Sequence, residues 1–515
     1  MRARGMDLCA TLLVIIWFSI YFKGAENRNI SMKCNWRPME YQEHSVGTRR
    51  RVLSAACIMA FISPAMGMMI SLALVSMGRD LNVGAHSMSL IVTAFFVTSV
   101  IFLVPAARLS EIYGKKKVVY AGLIMITLFS LLASVSWDFP SLLVFRSAMG
   151  IGTSFILTAS VSLLTDVYPP GGRGTAFGIS TMFVYLGALT GPMLGGILTD
   201  ALGWRSTFYI ITPLAVAAMI MLACYKEGRP ESAGEPFDYK GSVVFGVSIG
   251  LIMFGVFTLP SLYSIVLIAI GLMLLPYFVR IEKTVKYPAL RLSMFSDKGY
   301  KSASVSLFLN YAAANAVVMM VSLYLQSVGE LTASEAGTIM LVQPLFQVLL
   351  SPFSGKYSDK LDRRILPTVG MLSAFVGLLI LSSLEIGTSL LVVVTALMFT
   401  GICHGLFGAP NTNVMMGLCS RSENSASASV IAIMRQSGMM VALGIAMFMI
   451  SIFMGSTDNL MPSTYPDFIN ANRATFLVTA ALALIGAIIT WIYYPRKNVE
   501  CPAEVLCCIT RQSSD

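Results

Sequence analysis

The chain has 515 residues, 56% of them hydrophobic and 12% charged, with a net charge of +10 and a mean hydropathy of +0.75. That is too apolar for a soluble globular protein of ordinary composition, so the chain belongs in a lipid bilayer. Nine cysteines without paired CxxC spacing suggest neither a zinc site nor a disulfide framework.

Residues 1–51 are expected to be a cytoplasmic lead. Within them Cys9 to Phe22 is an apolar run of signal-peptide length behind Arg2 and Arg4, with no small-residue cleavage site after it. A spanning helix there would invert the charge pattern described below, so the natural chain is expected to start at Met39 and to lack residues 1–38. A bilayer core about 30 Å thick needs roughly 20 apolar residues per helix. Such runs fall at 52–77, 88–107, 118–136, 140–166, 174–198 and 206–224, which form an N-terminal six-helix bundle over 52–224. A linker, 225–240, leads to an inserted pair within 241–280, at 241–259 and 262–280. After a second linker, 281–301, runs at 302–326, 335–353, 366–384, 389–410, 426–452 and 474–494 form a C-terminal bundle over 302–494, followed by a tail, 495–515.

Lys and Arg crowd into alternate loops: Arg49 to Arg51, Arg108 with Lys115 to Lys117, Lys226 to Lys240, Lys283 to Lys301, Lys356 to Arg364, and Arg496 with Lys497. The opposite loops hold little beyond Arg79, Arg205 and Arg473. By the positive-inside rule the first set is cytoplasmic, with both ends of the helical body inside. The positive charge is thus a topology signal, and nucleic acid is not expected as a partner.

An internal repeat accompanies this pattern. ARLSEIYGKKK at 107–117 is echoed by GKYSDKLDRRI at 355–365, which matches Arg108 to Lys356, Glu111 to Asp359, and Lys115 and Lys116 to Arg363 and Arg364. GRGTAFGI at 172–179 and ENSASASVI at 423–431 echo one another more faintly. Two similar halves about a central cavity is a transporter arrangement. Gly114 suits a sharp turn, and Glu111 or Asp359 is placed to cap a helix or pair with a base.

These motifs resemble the major facilitator superfamily, and within it the fourteen-helix drug:proton antiporters of the EmrB/QacA type. The first loop is similar to the signature GxLaDrxGrkxxl at Leu109, Gly114, Lys115 and Lys116, with Glu111 in place of aspartate. VFRSAMGIG at 144–152 resembles RxxQGxG at Arg146, Gly150 and Gly152, with Met149 for glutamine. GISTMFVYLGALTGPMLGG at 178–196 resembles the antiporter motif of helix five at Gly178, Gly187, Gly191, Pro192 and Gly195. The resemblance implies an all-α membrane protein with two six-helix bundles and an inserted pair, about fourteen helices in all. It also implies export of hydrophobic or cationic organic molecules by proton antiport with alternating access, in the cell membrane, by a monomer without a cofactor or metal. Arg108, Glu111, Gly114, Lys115, Lys116, Asp359, Arg363 and Arg364 are the expected cytoplasmic gate, and Arg146 the expected coupling residue.

Proton binding falls to few groups, because the first helix carries Met66 where many relatives have an acid. His404 is a candidate because a histidine titrates near neutral pH, and Glu111, Asp166 and Asp359 are the candidates at the cytoplasmic ends. Charged groups at bilayer depth cost at least about 2.5 kcal/mol, so Arg146 and Arg435 are functional candidates. The amides Asn310, Asn315, Gln343, Gln347, Asn411 and Asn413 lie in apolar helices and, with Arg435, are expected to line the substrate cavity. Gly187, Gly191 and Gly195 recur every fourth residue and form one stripe for close helix packing, while Gly178 falls on the other face. The alternatives are a substrate-specific symporter or facilitator on the same fold, and a membrane sensor or enzyme. The sensor or enzyme reading is disfavoured by the absence of any HExxH, nucleophile-elbow or phosphate-loop motif.

Overall fold

The computed structural model describes residues 45–81, 83, 85–169, 171–230, 232–258, 261–455 and 464–495. The expected start at Met39 and the tail beyond Pro495 lie outside them. Among the described residues thirteen helices are long and apolar enough to cross a membrane, and fourteen when the bent pair Leu90–Ile101 with Leu103–Tyr113, at 45°, is counted as one span. The number expected from hydropathy is therefore met, with the second span broken.

The helices are α1 (Val46–Asp80), α2 (Ala85–Ile101), α3 (Leu103–Tyr113), α4 (Lys115–Ser134), α5 (Phe139–Val167), α6 (Arg173–Leu202), α7 (Ser206–Tyr209) and α8 (Ile211–Ala223) in the first half. The inserted pair is α9 (Tyr239–Phe257) and α10 (Leu262–Thr284). The second half comprises α11 (Lys298–Ala314), α12 (Ala316–Leu323), α13 (Ala333–Met340), α14 (Val342–Ser358), α15 (Ile365–Ser382), α16 (Leu390–Gly417), α17 (Asn424–Met454) and α18 (Tyr465–Tyr493). Among the described residues four spans are split; one break falls at Asn315, between α11 and α12, and the other three share one cause. Helices α2, α7 and α13 end at Ile101, Tyr209 and Met340, each four residues before a proline: Pro105, Pro213 and Pro344. The proline ring clashes with that carbonyl and offers it no N–H. Pro64, Pro192, Pro276, Pro352 and Pro410 sit inside helices that stay continuous.

Glycine sets the closest helix contacts. A Cβ on Gly187 would lie 2.5 Å from the Phe61 carbonyl oxygen, one on Gly191 2.9 Å from Met68 Cβ, and one on Gly195 2.5 Å from the Met69 carbonyl oxygen. The stripe therefore lays α6 directly on α1, within the first half. Gly178 makes the different contact its helix face requires: its Cβ would lie 2.7 Å from the Ser351 carbonyl oxygen and 2.9 Å from Gly355 Cα, on α14 of the second half. Gly438 repeats the first arrangement in the second half, where its Cβ would be 2.5 Å from the Phe308 carbonyl oxygen of α11. In lipid such contacts supply the packing that apolar burial supplies in water.

The halves also meet where Ser162 of α5 lies 3.2 Å from Ser425 of α17, hydroxyl to hydroxyl. This junction and Gly178–Gly355 are both at the end of the molecule that carries the basic loops.

The two glycine contacts predict separable effects. Gly187→Leu overpacks one half, a change that costs about 1–3 kcal/mol, and lowers the thermal midpoint of the purified protein by several degrees. Gly178→Leu leaves the midpoint nearly unchanged and blocks the disulfide that a Ser162→Cys, Ser425→Cys pair otherwise forms, read as a mobility shift on a non-reducing gel.

Candidate functional site

At the basic end, α3 carries Arg108, only 1% exposed. It donates to Glu111 Oε2 at 3.2 Å and to Glu235 Oε2 at 2.8 Å, and Arg291 lies 4.0 Å from the same Glu111 oxygen. Gly114 joins α3 to α4 with φ +101°, a conformation that favours glycine. The turn presents the first N–H groups of α4, and Lys115 and Lys116 donate theirs to the Glu227 carboxylate at 2.6 and 2.9 Å. A carboxylate there meets both the orphan donors and the positive end of the helix dipole. Burial nevertheless lifts the Glu227 carboxyl above its ordinary range, outweighing the two N–H donors that pull it down. The Lys115 ammonium pairs with Asp166 at 2.5 Å, and Lys116 donates to the carbonyls of Ala223 and Tyr225.

The linker after α8 thus folds back as a strap over the loop. Ser232 N–H donates to the Glu111 carbonyl at 3.2 Å. Arg291 donates to Ser232 Oγ at 3.1 Å and to Ser422 Oγ of the second half at 3.2 Å.

Asp359, the repeat partner of Glu111, has a different job. It accepts from Gly174 N–H at 3.1 Å, Thr175 N–H at 3.3 Å and Asn413 Nδ2 at 3.1 Å. The residue at the N-cap of α6 is Gly172, which has no side chain to cap with. Asp359 supplies that cap from the other half of the molecule. Arg364 pairs with Asp362 at 2.9 Å and lies over the Trp491 ring at 5.2 Å; Arg363 is half-buried beside it in the chain.

Halfway along the helices a second cluster forms. His404 is about 21 Å from the start of α16, and Tyr185 about 18 Å from the start of α6, at 1.5 Å per residue. Asn310 of α11 donates its amide hydrogens to Met371 Sδ at 3.1 Å and Cys403 Sγ at 3.0 Å, which turns its oxygen to His404 Nδ1 at 3.0 Å. Tyr311 stacks on the His404 ring at 5.1 Å and Tyr185 at 6.5 Å. The Tyr185 hydroxyl donates to the His404 carbonyl at 3.2 Å, from the first half to the second. Arg435 acts on Tyr185 electrostatically. Among the described residues the acids all fall at helix ends or in loops, so this cluster offers aromatic faces and neutral polar groups.

Arg146 stands apart from both clusters. It is fully buried, its guanidinium lies over the Phe95 ring at 4.4 Å, and its three side-chain nitrogens have no hydrogen-bond partner among the described residues. Asp166, on the same helix twenty residues on, is roughly 30 Å away, so these two candidates do not form one site.

The cavity candidates divide likewise. Asn310 joins His404, and Gln343 and Gln347 are buried on one face of α14. Asn315 marks the break between α11 and α12. The Tyr494 hydroxyl donates to Asn411 Oδ1, which ties α16 to the end of α18, and Asn413 donates to Ser358 and Asp359. Sequence reasoning missed Tyr185 and Tyr311, which read as ordinary apolar-helix aromatics. It also missed Glu227, Glu235 and Arg291, whose linkers read as topology charges. No three His, Cys, Asp or Glu side chains group as a metal site among the described residues.

The profile of the Major Facilitator Superfamily matches residues 56–295 and 303–504, and the chain belongs to this superfamily of membrane transporters. The multidrug resistance protein Stp of Mycobacterium tuberculosis (strain CDC 1551 / Oshkosh) is 25% identical over 443 residues, 84% of this chain and 81% of that one. The riboflavin transporter RibZ of Clostridioides difficile (strain 630) is 24% identical over 452 residues, 87% of this chain and 98% of that one. The crystal structure of the human organic anion transporter MFSD10 shares the fold, with a TM-score of 0.61 and 14% identity, covering 86% of this chain and 99% of that one.

The cross-half cap has a direct readout. Asp359→Ala removes the acceptor of two helix-terminal N–H groups, worth about 1 kcal/mol or more, so hydrogen exchange at Gly174 and Thr175 should speed up roughly tenfold. Asp359→Asn keeps an acceptor oxygen and should change the rate far less.

Proposed function

We propose that this transporter exports small amphipathic organic molecules, driven by inward proton flow, by alternating access between its halves. The observation that carries the reading is the midplane cluster of Tyr185, Asn310, Tyr311 and His404, drawn from both halves. It lies where a rocking transporter holds its substrate, and the relatives named as multidrug transporters support export. By the positive-inside rule the strapped end faces the cytoplasm in this reading, and the arrangement described is then the one closed toward the inside. Arg108, Glu111, Lys115, Asp166 and Asp359 hold that closure, and opening it breaks the Asp359 cap and the Ser162–Ser425 contact together. The domain division is the one read from hydropathy: bundles at 52–224 and 302–494 about the pair at 241–280. Small molecules, protons and lipid are its partners, and the chain works as a monomer. With no acid at the midplane, aromatic faces are what a lipophilic cation would meet; neutral planar molecules are matched equally well.

A substrate-specific carrier on the same fold is the second reading, favoured by the resemblance to a riboflavin transporter and by the stacked rings at the centre. Purified protein in proteoliposomes under an imposed pH gradient separates the two. The first reading expects proton-driven movement of several unrelated lipophilic compounds; movement of one compound class, indifferent to the pH gradient, rejects it.

Arg146 gives a second test. A buried, unpaired guanidinium is costly to the fold, so Arg146→Ala is expected to hold or raise the thermal midpoint while cutting driven transport about tenfold or more. Undiminished transport would remove Arg146 from the mechanism.

A further inference from the structure

The base of the inserted hairpin holds two acids that the transport reading does not use. Helix α9 opens at Asp238, whose Oδ1 accepts the Gly241 N–H at 2.9 Å and caps the helix. Helix α10 returns to the same end, where Glu282 Oε2 accepts the Leu290 N–H at 3.0 Å. Each carboxylate thus gives one oxygen to a backbone donor. The other two, Asp238 Oδ2 and Glu282 Oε1, are buried without a hydrogen-bond partner, on residues 8% and 4% exposed. They also converge on one point: a Cβ built on Gly241 would overlap both oxygens at once. Glycine at 241 is what lets the two acids come together.

We propose that Asp238 and Glu282 share one proton, and that this proton is a ligand of the closed basic end. Two buried carboxylate oxygens that approach the same point beside Gly241 are held more cheaply with one proton between them than as two charges. One protonated oxygen, donating to the other carboxylate, satisfies both orphan atoms. A hard cation is a poorer occupant, since it takes six or more oxygens, and no group of three or more acidic, His or Cys ligands exists among the described residues.

Among the described residues no cation forms an ion pair with either acid, although the backbone N–H groups of Leu290 and Ala289 act on Glu282. From α3, Arg108 acts on Glu282 electrostatically, but its hydrogen bonds go to Glu111 and Glu235. Helices α2 and α17 also pack on α9. The titratable residue of α2, His86, is at the opposite end of that helix, and Arg435 is eleven residues into α17. Lys240, Arg280 and Lys283 on the hairpin are exposed.

The position gives the proton its consequence. Asp238 lies three residues after Glu235, which holds Arg108. Leu290, bound by Glu282, precedes Arg291, which reaches Ser232 and Ser422. The shared proton therefore clasps together the two linkers that join the hairpin to the halves. Its loss sets two anions face to face and pushes the linkers apart, so the strapped end opens as pH rises. This holds whatever molecule is transported, and the test needs no substrate.

Full-length protein in lipid nanodiscs is examined by infrared difference spectroscopy in light and heavy water. At neutral pH a deuterium-sensitive carboxylic acid band is expected, lost in Glu282→Gln and in Asp238→Asn. Absence of the band from the unmodified protein, or its persistence in both variants, overturns the shared proton. Should a variant misfold, carbon-13 labelling of glutamate and aspartate in the unmodified protein assigns the band directly. Coupling is read from a cysteine at Ser425, buried in the cross-half contact, in a background without other cysteines. Its reaction with a water-soluble thiol reagent should rise several-fold from neutral to alkaline pH, and both neutral variants should stay protected. Identical profiles in all three proteins overturn the coupling, and protection restored by sodium at alkaline pH shows a cation site and overturns the proton.

Discussion

Asp359 caps a helix that belongs to the other half of the molecule, and much of the basic end is arranged around that contact. The first turn of α6 offers Gly174 and Thr175 N–H groups that its own N-cap glycine cannot bind. Near a bilayer an unsatisfied backbone donor is expensive, so the helix end needs an acceptor from elsewhere. Supplying it requires α14 to lie almost against α6, and that approach is open only because Gly174, Gly178 and Gly355 face each other. Hydrogen bonding and close packing therefore make the same demand at one place. A contact that caps a helix only when the halves are together is also one that can be broken when they part.

The first half solves the equivalent problem locally. Glu111 holds Arg108 three residues away on its own helix, while Glu227, from the linker, caps α4. The strap that delivers Glu227 and Glu235 also brings Arg291 to Ser422, so the linkers join the halves as well as connecting them. The inserted hairpin returns beside the same network, where Glu282 accepts the N–H of Leu290, the residue before Arg291.

Much of this was legible in the residues and some of it was not. The repeat of SEIYGKKK in SDKLDRR marked both loops that carry the acid contacts at the basic end, and the Gly178 offset from the Gly187–Gly191–Gly195 stripe foretold two different partners. Hydropathy placed the second span at 88–107 but not its break, although Pro105 stands four residues after Ile101, where the ring must disturb the ladder. Tyr185 and Tyr311 carried no signal, because a tyrosine in an apolar helix looks the same whether it faces lipid, core or a partner ring. Hydropathy ends the inserted pair at 280, whereas α10 runs to Thr284 and takes in the buried Glu282, because a boundary drawn on apolar residues stops short of an acid.

The sequence by itself determined that this chain spans a membrane about fourteen times, which end of the bundle carries the basic loops, and that two similar halves flank an inserted pair. Those are properties of apolar run length, charge placement and self-similarity, and each is local or additive along the chain. Only the tertiary structure decided which acid meets which donor: Asp359 across the halves, Glu227 onto α4, Asp238 against Glu282, Asn310 onto His404. Such pairings join residues up to about two hundred positions apart, and a hydrogen bond depends on fractions of an ångström that no pattern in the chain encodes.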